Sequence, residues 1–213
     1  MISLIKIFIF FIIVVIPSLA KEVTCKQDGK YSMISSMHLI NDIVYKENGL
    51  HNVLIEIPTG SRQKWEVQHE NGQLSWEFKN KKPREIKFLG YPGNYGFIPQ
   101  TRSGDGDPLD IIVLSESVNR GDILKIKVIG MLHLEDTGEE DTKIIAIRDN
   151  GAFVDIETLG DMLLKYPNVI PIVKEWFEGY KGPGKMLFQG YGTAKEAIQH
   201  IETAHGKWLK DTF

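Results

Sequence analysis

The sequence is poor in cysteine and in basic charge, and both shortages exclude whole classes of protein. A single cysteine, Cys25, among 213 residues excludes an intrachain disulfide framework and a cysteine-rich zinc site. Lysine and arginine number 25 against 28 aspartates and glutamates, and the formal net charge of −3 argues against general binding to nucleic acid. The chain has 42% hydrophobic and 25% charged residues, a composition that is ordinary for a folded globular enzyme.

Long apolar sequence is confined to the start of the chain. Met1–Ala20 places Lys6 before an apolar stretch, Ile7–Ile16, which Pro17 and small residues follow. This order predicts a secretory signal peptide cleaved after Ala20, and hence an exported protein, periplasmic or secreted. The alternative is an uncleaved anchor, for which the apolar stretch is shorter than the roughly 20 residues that a bilayer requires. We therefore expect no membrane attachment of the mature chain.

The remainder, residues 21–213, has no internal repeat, low-complexity tract or Pro/Ser linker, which predicts a single domain. Its polar beginning predicts a short helix over Met33–Tyr45, and alternating apolar residues then predict strands as far as Ile147. An Asn71-Gly72 turn predicts a hairpin. The predicted strands are Val53–Ile57, Lys64–His69, Leu74–Phe78, Asp110–Leu114, Leu124–Val128 and Ile144–Ile147.

Beyond Asn150-Gly151 the apolar spacing becomes helical. Two helical patterns precede a closing helix, whose start is predicted by a capping box of Thr193 and Glu196. The two patterns run from Ile156 to Tyr166 and from Ile172 to Gly179, and the closing helix presents Ala197, Ile198, Ile201, His205 and Trp208 on one face. The predicted fold class is α+β, a compact β-barrel with helices packed on it, rather than alternating βαβ units.

An acidic loop, Asp105–Asp110, places three carboxylates within six residues. Gly106 permits a tight bend and Pro108 stiffens the loop, so the three carboxylates can converge on one cation. An EF-hand does not fit, because its sixth position requires glycine and here holds Asp110. A solvated acidic turn before a strand is the alternative for this loop taken alone.

A second acidic cluster lies further along the chain and is followed by Lys143. Its members are Glu135, Asp136, Glu139, Glu140 and Asp141. No two of the six histidines are spaced by two or four residues, so a zinc site lacks nitrogen ligands. Carboxylates alone select hard cations such as Mg²⁺, Mn²⁺ or Ca²⁺, and two clusters would hold more than one ion. A charged hairpin tip is the alternative.

Cationic and phenolic side chains occur in loop-like segments near these acids. They are Lys64, Arg84, Tyr91, Tyr95, Lys143, Tyr180, Lys181 and Lys185. Metal ions together with lysine, arginine and tyrosine donors suit a small, highly charged oxyanion, because the metals offset charge while the donors hold the leaving phosphoryl group. For each of these side chains alone, surface solvation or packing with a polar tip is the alternative.

Six short motifs stand in a fixed order along the chain. They are Ile55–Pro58, Lys64–Glu66, Tyr91–Gly96, Asp105–Asp110, Asp136–Asp141 with Lys143, and Tyr180-Lys181. Together they resemble the motifs of family I soluble inorganic pyrophosphatases, over Val53 to Lys181. The resemblance implies a distorted five-stranded OB-like barrel with helices, and Mg²⁺-dependent hydrolysis of inorganic pyrophosphate to two phosphates. The short chain is similar to the bacterial members, which implies a homo-oligomer, a hexamer.

The resemblance also implies roles for single residues. The implied ligands of several Mg²⁺ ions, or alternatively Mn²⁺, are Asp105, Asp110 and Asp141, with Asp136 on a substrate-borne metal and Glu56 acting through water. Asp107 would accept the proton of a metal-bridged water, with Tyr95 and Lys143 as further catalytic residues. The implied phosphate-binding residues are Lys64, Tyr95, Lys143, Tyr180 and Lys181. Glu66 would belong to the carboxylate shell, and Tyr91 would orient the acids.

Two features depart from the family pattern. The family places a phosphate-binding arginine where Phe78 stands here, and the segment from Phe78 to Tyr91 is lengthened. We predict that Arg84 reaches the phosphate from the shifted loop; Lys79 or Lys82 is the alternative, although lysine lacks the bidentate fork of a guanidinium. The family is mostly cytosolic, so a cytoplasmic location is the alternative to export.

Two other functions compete with pyrophosphate hydrolysis. A non-catalytic barrel could keep the acidic loops as a divalent-cation or phosphate-binding module, and the missing arginine motivates this alternative. The complete set of acids together with Lys143 favours catalysis. Hydrolysis of a larger phosphoanhydride, such as a nucleotide or polyphosphate, is disfavoured because the sequence indicates no base-stacking pocket.

Overall fold

The computed structural model describes residues 23–213, which form strands and three helices. The strands are β1 (Cys25–Asp28), β2 (Ser32–Ser35), β3 (Lys46–Glu47), β4 (Leu50–Ile57), β5 (Trp65–Val67), β6 (Leu74–Trp76), β7 (Phe78–Lys79), β8 (Lys82–Pro83), β9 (Asn94–Ile98), β10 (Leu109–Leu114), β11 (Ile123–Asp136), β12 (Glu139–Glu140), β13 (Lys143–Arg148) and β14 (Met186–Thr193). The helices are α1 (Leu159–Lys165), α2 (Val169–Tyr180) and α3 (Ala194–Thr212). The predicted signal peptide, residues 1–20, lies outside the described residues.

Five strands pair in a closed ring in the order β4, β9, β10, β13, β11 and back to β4. The β10–β13 pair is parallel and the others are antiparallel. The 14-residue β11 can reach both of its ring neighbours because its register with β13 shifts between Val128 and Gly130, where a bulge bends the strand. This distorted ring confirms the predicted α+β fold with an OB-like strand arrangement.

Alternate residues of the ring strands pack into two cores, as the period-two pattern of the sequence requires. On β10, Ile111 and Val113 join a cluster that includes Ala197 and Ile201 of α3. Ile112 and Leu114 face a second cluster formed with α1 and α2. Packed side chains cover both faces of β10, which explains its continuous run of apolar residues. The same packing holds the ends of the strand in place.

The predicted helix cap and hairpin are present. Thr193 Oγ1 accepts a hydrogen bond from the Glu196 backbone N–H, and the Thr193 backbone N–H donates to the Glu196 carboxylate, so α3 begins where the capping box predicts. The turn at Asn71-Gly72 joins β5 to β6, which pair antiparallel. Gly72 has a left-handed φ of 64° and lies against His38, where a Cβ atom would meet the imidazole at 2.4 Å.

The structure contradicts one predicted element and contains strands that the sequence did not predict, β9 and β14 among them. The helix predicted over Met33–Tyr45 is wrong, because residues 23–158 contain no helix. Its apolar residues are buried through turns instead, since Leu39 donates its backbone N–H to Gly72 and β2 pairs with β6. Strand β14 was not predicted from the sequence, because Gly190 and Gly192 interrupt its apolar alternation.

No helix within residues 23–213 is long and apolar enough to cross a membrane.

A buried histidine on β4 predicts an acid-sensitive contribution to stability. The His51 side chain is buried, and its Nε2 atom lacks a hydrogen-bond partner among the described residues. Burial, together with the nearby Lys46 ammonium, lowers the pKa of His51 to about 4, against the opposing effect of Glu202. Because the unfolded chain binds this proton near pH 6.5 and the folded chain near pH 4, stability falls as the pH drops between these values.

We expect wild type to lose about 3 kcal/mol more unfolding free energy than His51→Phe between pH 6.5 and 4. Urea denaturation of both proteins at a series of pH values measures the difference, and groups common to both cancel. Parallel pH curves for the two proteins would contradict the expectation.

Candidate active site

The two acidic loops meet because β10 and β13 are parallel neighbours. Ile111 is in register with Ile144, so Asp110 and Lys143, one residue earlier on each strand, lie side by side. The buried Lys143 ammonium donates to the carboxylates of both Asp110 and Asp141, with Nζ 2.6 Å from Asp141 Oδ1. A buried cation therefore joins residues from both loops.

The charges of this trio stabilise one another. Burial alone would lower the pKa of Lys143, but Asp110 and Asp141 raise it well above its ordinary value. Burial would raise the pKa of Asp110, whereas Lys143 and Lys64 hold it below its usual range. Lys143 is consequently protonated and Asp110 ionised near neutral pH.

A cavity of about 290 Å³ lies beside Asp110 and is lined by four further predicted residues, Glu56, Lys64, Glu66 and Asp107. Glu56, at the end of β4, is 5% exposed, and its Oε1 accepts the Val67 N–H at 2.7 Å. Burial raises the pKa of Glu56 to about 8 although Lys64 opposes the shift, and burial also raises the pKa of Glu66. Burial would lower the pKa of Lys64, but Glu56 and Asp110 raise it.

Four aromatic rings, each in contact with the next, lie beside the charged groups. Tyr95 lies 5.0 Å from Tyr91, which lies 4.4 Å from Trp176, which stacks on Tyr180 at 4.7 Å between ring centroids. The ammonium groups of Lys64 and Lys143 are 5.6 Å and 5.9 Å from the Tyr95 ring centroid, within cation–π range. Burial raises the pKa of Tyr91 and of Tyr95 well above 10, so both hydroxyls remain protonated donors.

A second cavity, which we call the outer cavity, has a volume of about 420 Å³ and holds the remaining phosphate-binding candidates. Its lining residues are Lys79, Arg84, Glu85, Ile86, Lys87, Asp136, Thr137, Tyr180, Lys181 and Lys185. Lys181 donates to the Asp136 carboxylate, and Arg84 Nη1 donates to Glu77 Oε2 at 2.6 Å. The structure thus brings Arg84 to Tyr180 and Lys181, while Phe78 packs edge-on against Tyr31 at 5.1 Å.

Asp105 and Asp107 lie on different sides of Asp110. Gly106, at a left-handed φ of 96°, makes the bend between them. Asp105 accepts hydrogen bonds from Ser103 Oγ and the Asp107 N–H, and it borders a cavity of about 130 Å³ with Asp110 and Asp141. Asp107 instead borders the cavity of Glu56 and Lys64. The three carboxylates of this loop therefore do not converge on one point in this structure.

One residue near the site was missed from the sequence. His69 Nε2 lies 2.7 Å from Asp107 Oδ1, across the mouth of the cavity that contains Glu56. His69 stands at the tip of the β5–β6 hairpin, isolated in sequence from every other histidine. Its contact depends on how the hairpin lies against the acidic loop, which no local spacing indicates.

The donor chemistry fits a hard divalent cation. Aspartate and glutamate oxygens are the ligands that Mg²⁺ prefers. The ammonium groups of Lys143 and Lys181 form ion pairs with three aspartates of the site. Across residues 23–213, however, no group of three or more histidine, cysteine, aspartate or glutamate side chains is arranged to hold one ion.

Comparison with known proteins gives this geometry a family. The model of the inorganic pyrophosphatase family matches residues 53–209. The chain belongs to this family. An inorganic pyrophosphatase of Sulfolobus acidocaldarius is 37% identical over 162 residues, 72% of this chain and 88% of the relative. One of Ralstonia nicotianae is 35% identical over 159 residues, 70% of this chain and 86% of the relative.

Solved structures of inorganic pyrophosphatases share the fold. The type I inorganic pyrophosphatase from Toxoplasma gondii superposes with a TM-score of 0.81 at 27% identity, covering 89% of this chain and 98% of that one. The inorganic pyrophosphatase from Thermus thermophilus gives 0.71 at 27% identity, covering 81% and 99%. The predicted enzyme class, an inorganic diphosphatase, is therefore confirmed at the level of the inorganic pyrophosphatase family.

Proposed function

We propose that this chain hydrolyses inorganic pyrophosphate to two phosphates with Mg²⁺ as the activating ion, and with Mn²⁺ as an alternative. The observation that carries the proposal is the pair of acidic loops joined by buried Lys143 beside a set of phosphate donors. A tetra-anionic substrate requires both cationic side chains and metal ions, and this site offers lysines together with carboxylates that can bind metals.

The metal-binding residues in this proposal lie on both loops and on β4. They are Asp105, Asp110 and Asp141 for the activating ions, Asp136 for an ion that enters with the substrate, and Glu56 through water. Bound Mg²⁺ supplies charge neutralisation and lowers the pKa of a coordinated water. Glu56, with its pKa near 8, would ionise more readily beside a divalent cation.

The chain's own groups divide the remaining work. Asp107 takes the proton from the attacking water, since it lies in the cavity of Glu56 and Lys64 and is bonded to no lysine. The residues that bind the two phosphates are Lys64, Tyr95, Lys143, Tyr180 and Lys181. Tyr95 can donate its hydroxyl because its raised pKa keeps it protonated. Glu66 belongs to the carboxylate shell around these groups, and Tyr91 orients the acids.

Arg84 takes the place of the arginine that the family pattern has at Phe78. It lines the outer cavity with Tyr180 and Lys181, as does Lys79, whereas Lys82 does not. Glu77 holds the guanidinium at the cavity wall, where it can meet a phosphate oxygen with two parallel N–H groups.

We expect Arg84→Lys to raise KM for pyrophosphate about tenfold, because a charge is kept while the bidentate fork is lost. Steady-state phosphate release measures the change. Arg148→Lys is the matched control, since Arg148 also pairs with one glutamate, Glu116, but lies outside the outer cavity. If Arg84→Ala left both kcat and KM unchanged, the assignment would be wrong.

One experiment tests the proposed function most directly. Residues 21–213 are assayed for phosphate release from pyrophosphate with Mg²⁺, with a chelator, and with Mn²⁺ added back. We expect release that requires the metal. The competing function, a non-catalytic cation- or phosphate-binding module, predicts calorimetric binding of Mg²⁺ or phosphate with no release at any neutral or alkaline pH.

We also propose that the chain is exported as a single-domain homo-oligomer, a hexamer, after cleavage behind Ala20. The support is the layout of Met1–Ala20 and the likeness of the short chain to bacterial family members. Sequencing the mature amino terminus tests the cleavage, with Met1 retained as the contrary outcome. Light scattering of the purified protein measures the number of subunits.

A further inference from the structure

The lining of the outer cavity carries an excess of positively charged side chains. Five of its lining residues are cationic and two are acidic. Arg84 pairs with Glu77, which lies outside the lining, and Lys181 pairs with Asp136, so that Glu85 offsets one of the remaining positive charges. The other three lysines are Lys79, Lys87 and Lys185, which are exposed and take part in none of the ion pairs formed within residues 23–213. An anion that enters this cavity would therefore meet lysines with no internal partner.

One wall of the cavity is built by the lengthened segment between Phe78 and Tyr91. Strands β7 and β8 form a hairpin whose turn, Asn80-Lys81, has left-handed φ angles of 53° and 62°. Phe78 packs on Tyr31, and the next residue, Lys79, lines the cavity, as the alternation of side chains along a strand requires. The segment then continues to Lys87, so it contributes two of the three unpartnered lysines.

The opposite wall belongs to the phosphate-binding candidates. Tyr180 and Lys181 border the outer cavity from the end of α2, and Lys185 follows them before β14. The cavity thus extends outward from the residues that would bind one end of pyrophosphate. Its volume of about 420 Å³ leaves room beyond that end for another phosphoryl group.

We propose that the outer cavity binds the third phosphoryl group of inorganic triphosphate, with Lys79, Lys87 and Lys185 as its counter-charges. The inference rests on the proposed function, because the other two phosphoryl groups would occupy the pyrophosphate site. A nucleotide is a poorer match, since Tyr180, the one aromatic ring in the lining, is already stacked on Trp176. The sequence disfavours larger phosphoanhydrides because it indicates no base-stacking pocket, a feature that inorganic triphosphate does not need. The ligand class is therefore a linear inorganic phosphoanhydride without a base.

The test compares two ligands that resist hydrolysis, the methylene-bridged analogues of pyrophosphate and triphosphate, by calorimetry with Mg²⁺ present. Three proteins are titrated: wild type, Lys87→Gln/Lys185→Gln, and a control with the same charge change on α3, Lys195→Gln/Lys210→Gln. We expect the double variant at the outer cavity to bind the triphosphate analogue about tenfold more weakly than wild type, because it lacks two partly screened charge contacts. Its affinity for the pyrophosphate analogue should stay within about twofold.

The outcomes separate this inference from the proposed function. Selective loss of triphosphate affinity in Lys87→Gln/Lys185→Gln, with the α3 control unchanged, supports the outer cavity as a third subsite. Equal affinity of all three proteins for the triphosphate analogue overturns the inference while pyrophosphate binding persists. Failure of wild type to bind either analogue overturns the proposed function itself.

Discussion

Replacing Asp107 by asparagine is expected to lower kcat for pyrophosphate by about 10²–10⁴-fold, the usual contribution of a general base. The amide has the shape of the carboxylate but cannot accept a proton. Asp107 suits this role because Asp110, Asp136 and Asp141 are bonded to lysines, whereas Asp107 contacts only the His69 imidazole by its side chain. Its side chain is 67% exposed, so water can reach it.

Phosphate release under saturating pyrophosphate and Mg²⁺ measures the loss of activity, and thermal unfolding checks the fold. Because the side chain is exposed, we expect the free energy of unfolding to change by less than about 0.5 kcal/mol. Asp28→Asn, at the exposed end of β1, is the matched control and should retain activity. Wild-type kcat in Asp107→Asn would show that the proton goes elsewhere.

Lys143→Met is expected to impair folding and catalysis together. Lys143 is 3% exposed, and methionine keeps most of its volume while removing the charge that separates Asp110 from Asp141. Removing one partner of a buried ion pair costs about 3–5 kcal/mol. Because both aspartates are partly exposed, we expect the loss of unfolding free energy here to lie near the lower value, about 3 kcal/mol. Activity should fall at least about 100-fold, since a phosphate donor is lost as well.

The response to Mg²⁺ distinguishes this effect from simple loss of packing. In Lys143→Met the two carboxylates are free to bind metal, so added Mg²⁺ should restore part of the lost unfolding free energy by mass action. Urea denaturation with chelator and with Mg²⁺ measures this recovery. Lys127→Met, which breaks the exposed pair with Glu157, is the control and should cost less than about 1 kcal/mol. An equal deficit with and without Mg²⁺ would contradict the interpretation.

Much of the fold follows from local signals in the sequence. The alternation in β4, β10 and β11, the Asn71-Gly72 turn and the capping box at Thr193 are each decided by neighbours within a few residues. The helix predicted over residues 33–45 is wrong because the apolar residues of this segment are buried by contacts with the β6 region and do not line one face of a helix. In β14, Gly192 permits close packing against Met131 and His133, and together with Gly190 it hides the strand pattern.

The candidate site was predictable in composition but not in arrangement. The motifs supplied the acids, lysines and tyrosines because residue type alone carries their chemistry. The pairing of Lys143 with acids from two loops depends on the register of β10 with β13, and the contact of His69 with Asp107 depends on the hairpin's docking. The location of Arg84 follows from the path of the β7–β8 hairpin, which residue spacing does not determine.

The closed ring of strands has a consequence for how the protein folds. Asp110 meets Lys143 only after β10 has paired with β13, and the ring closes only when β4 finds β11, a strand distant in sequence. Such non-local pairings form slowly, because the entropy of closing long loops is lost before the contacts compensate for it. We therefore expect the contact of Asp110 with Lys143 to form late on the folding pathway, after the local hairpins have paired.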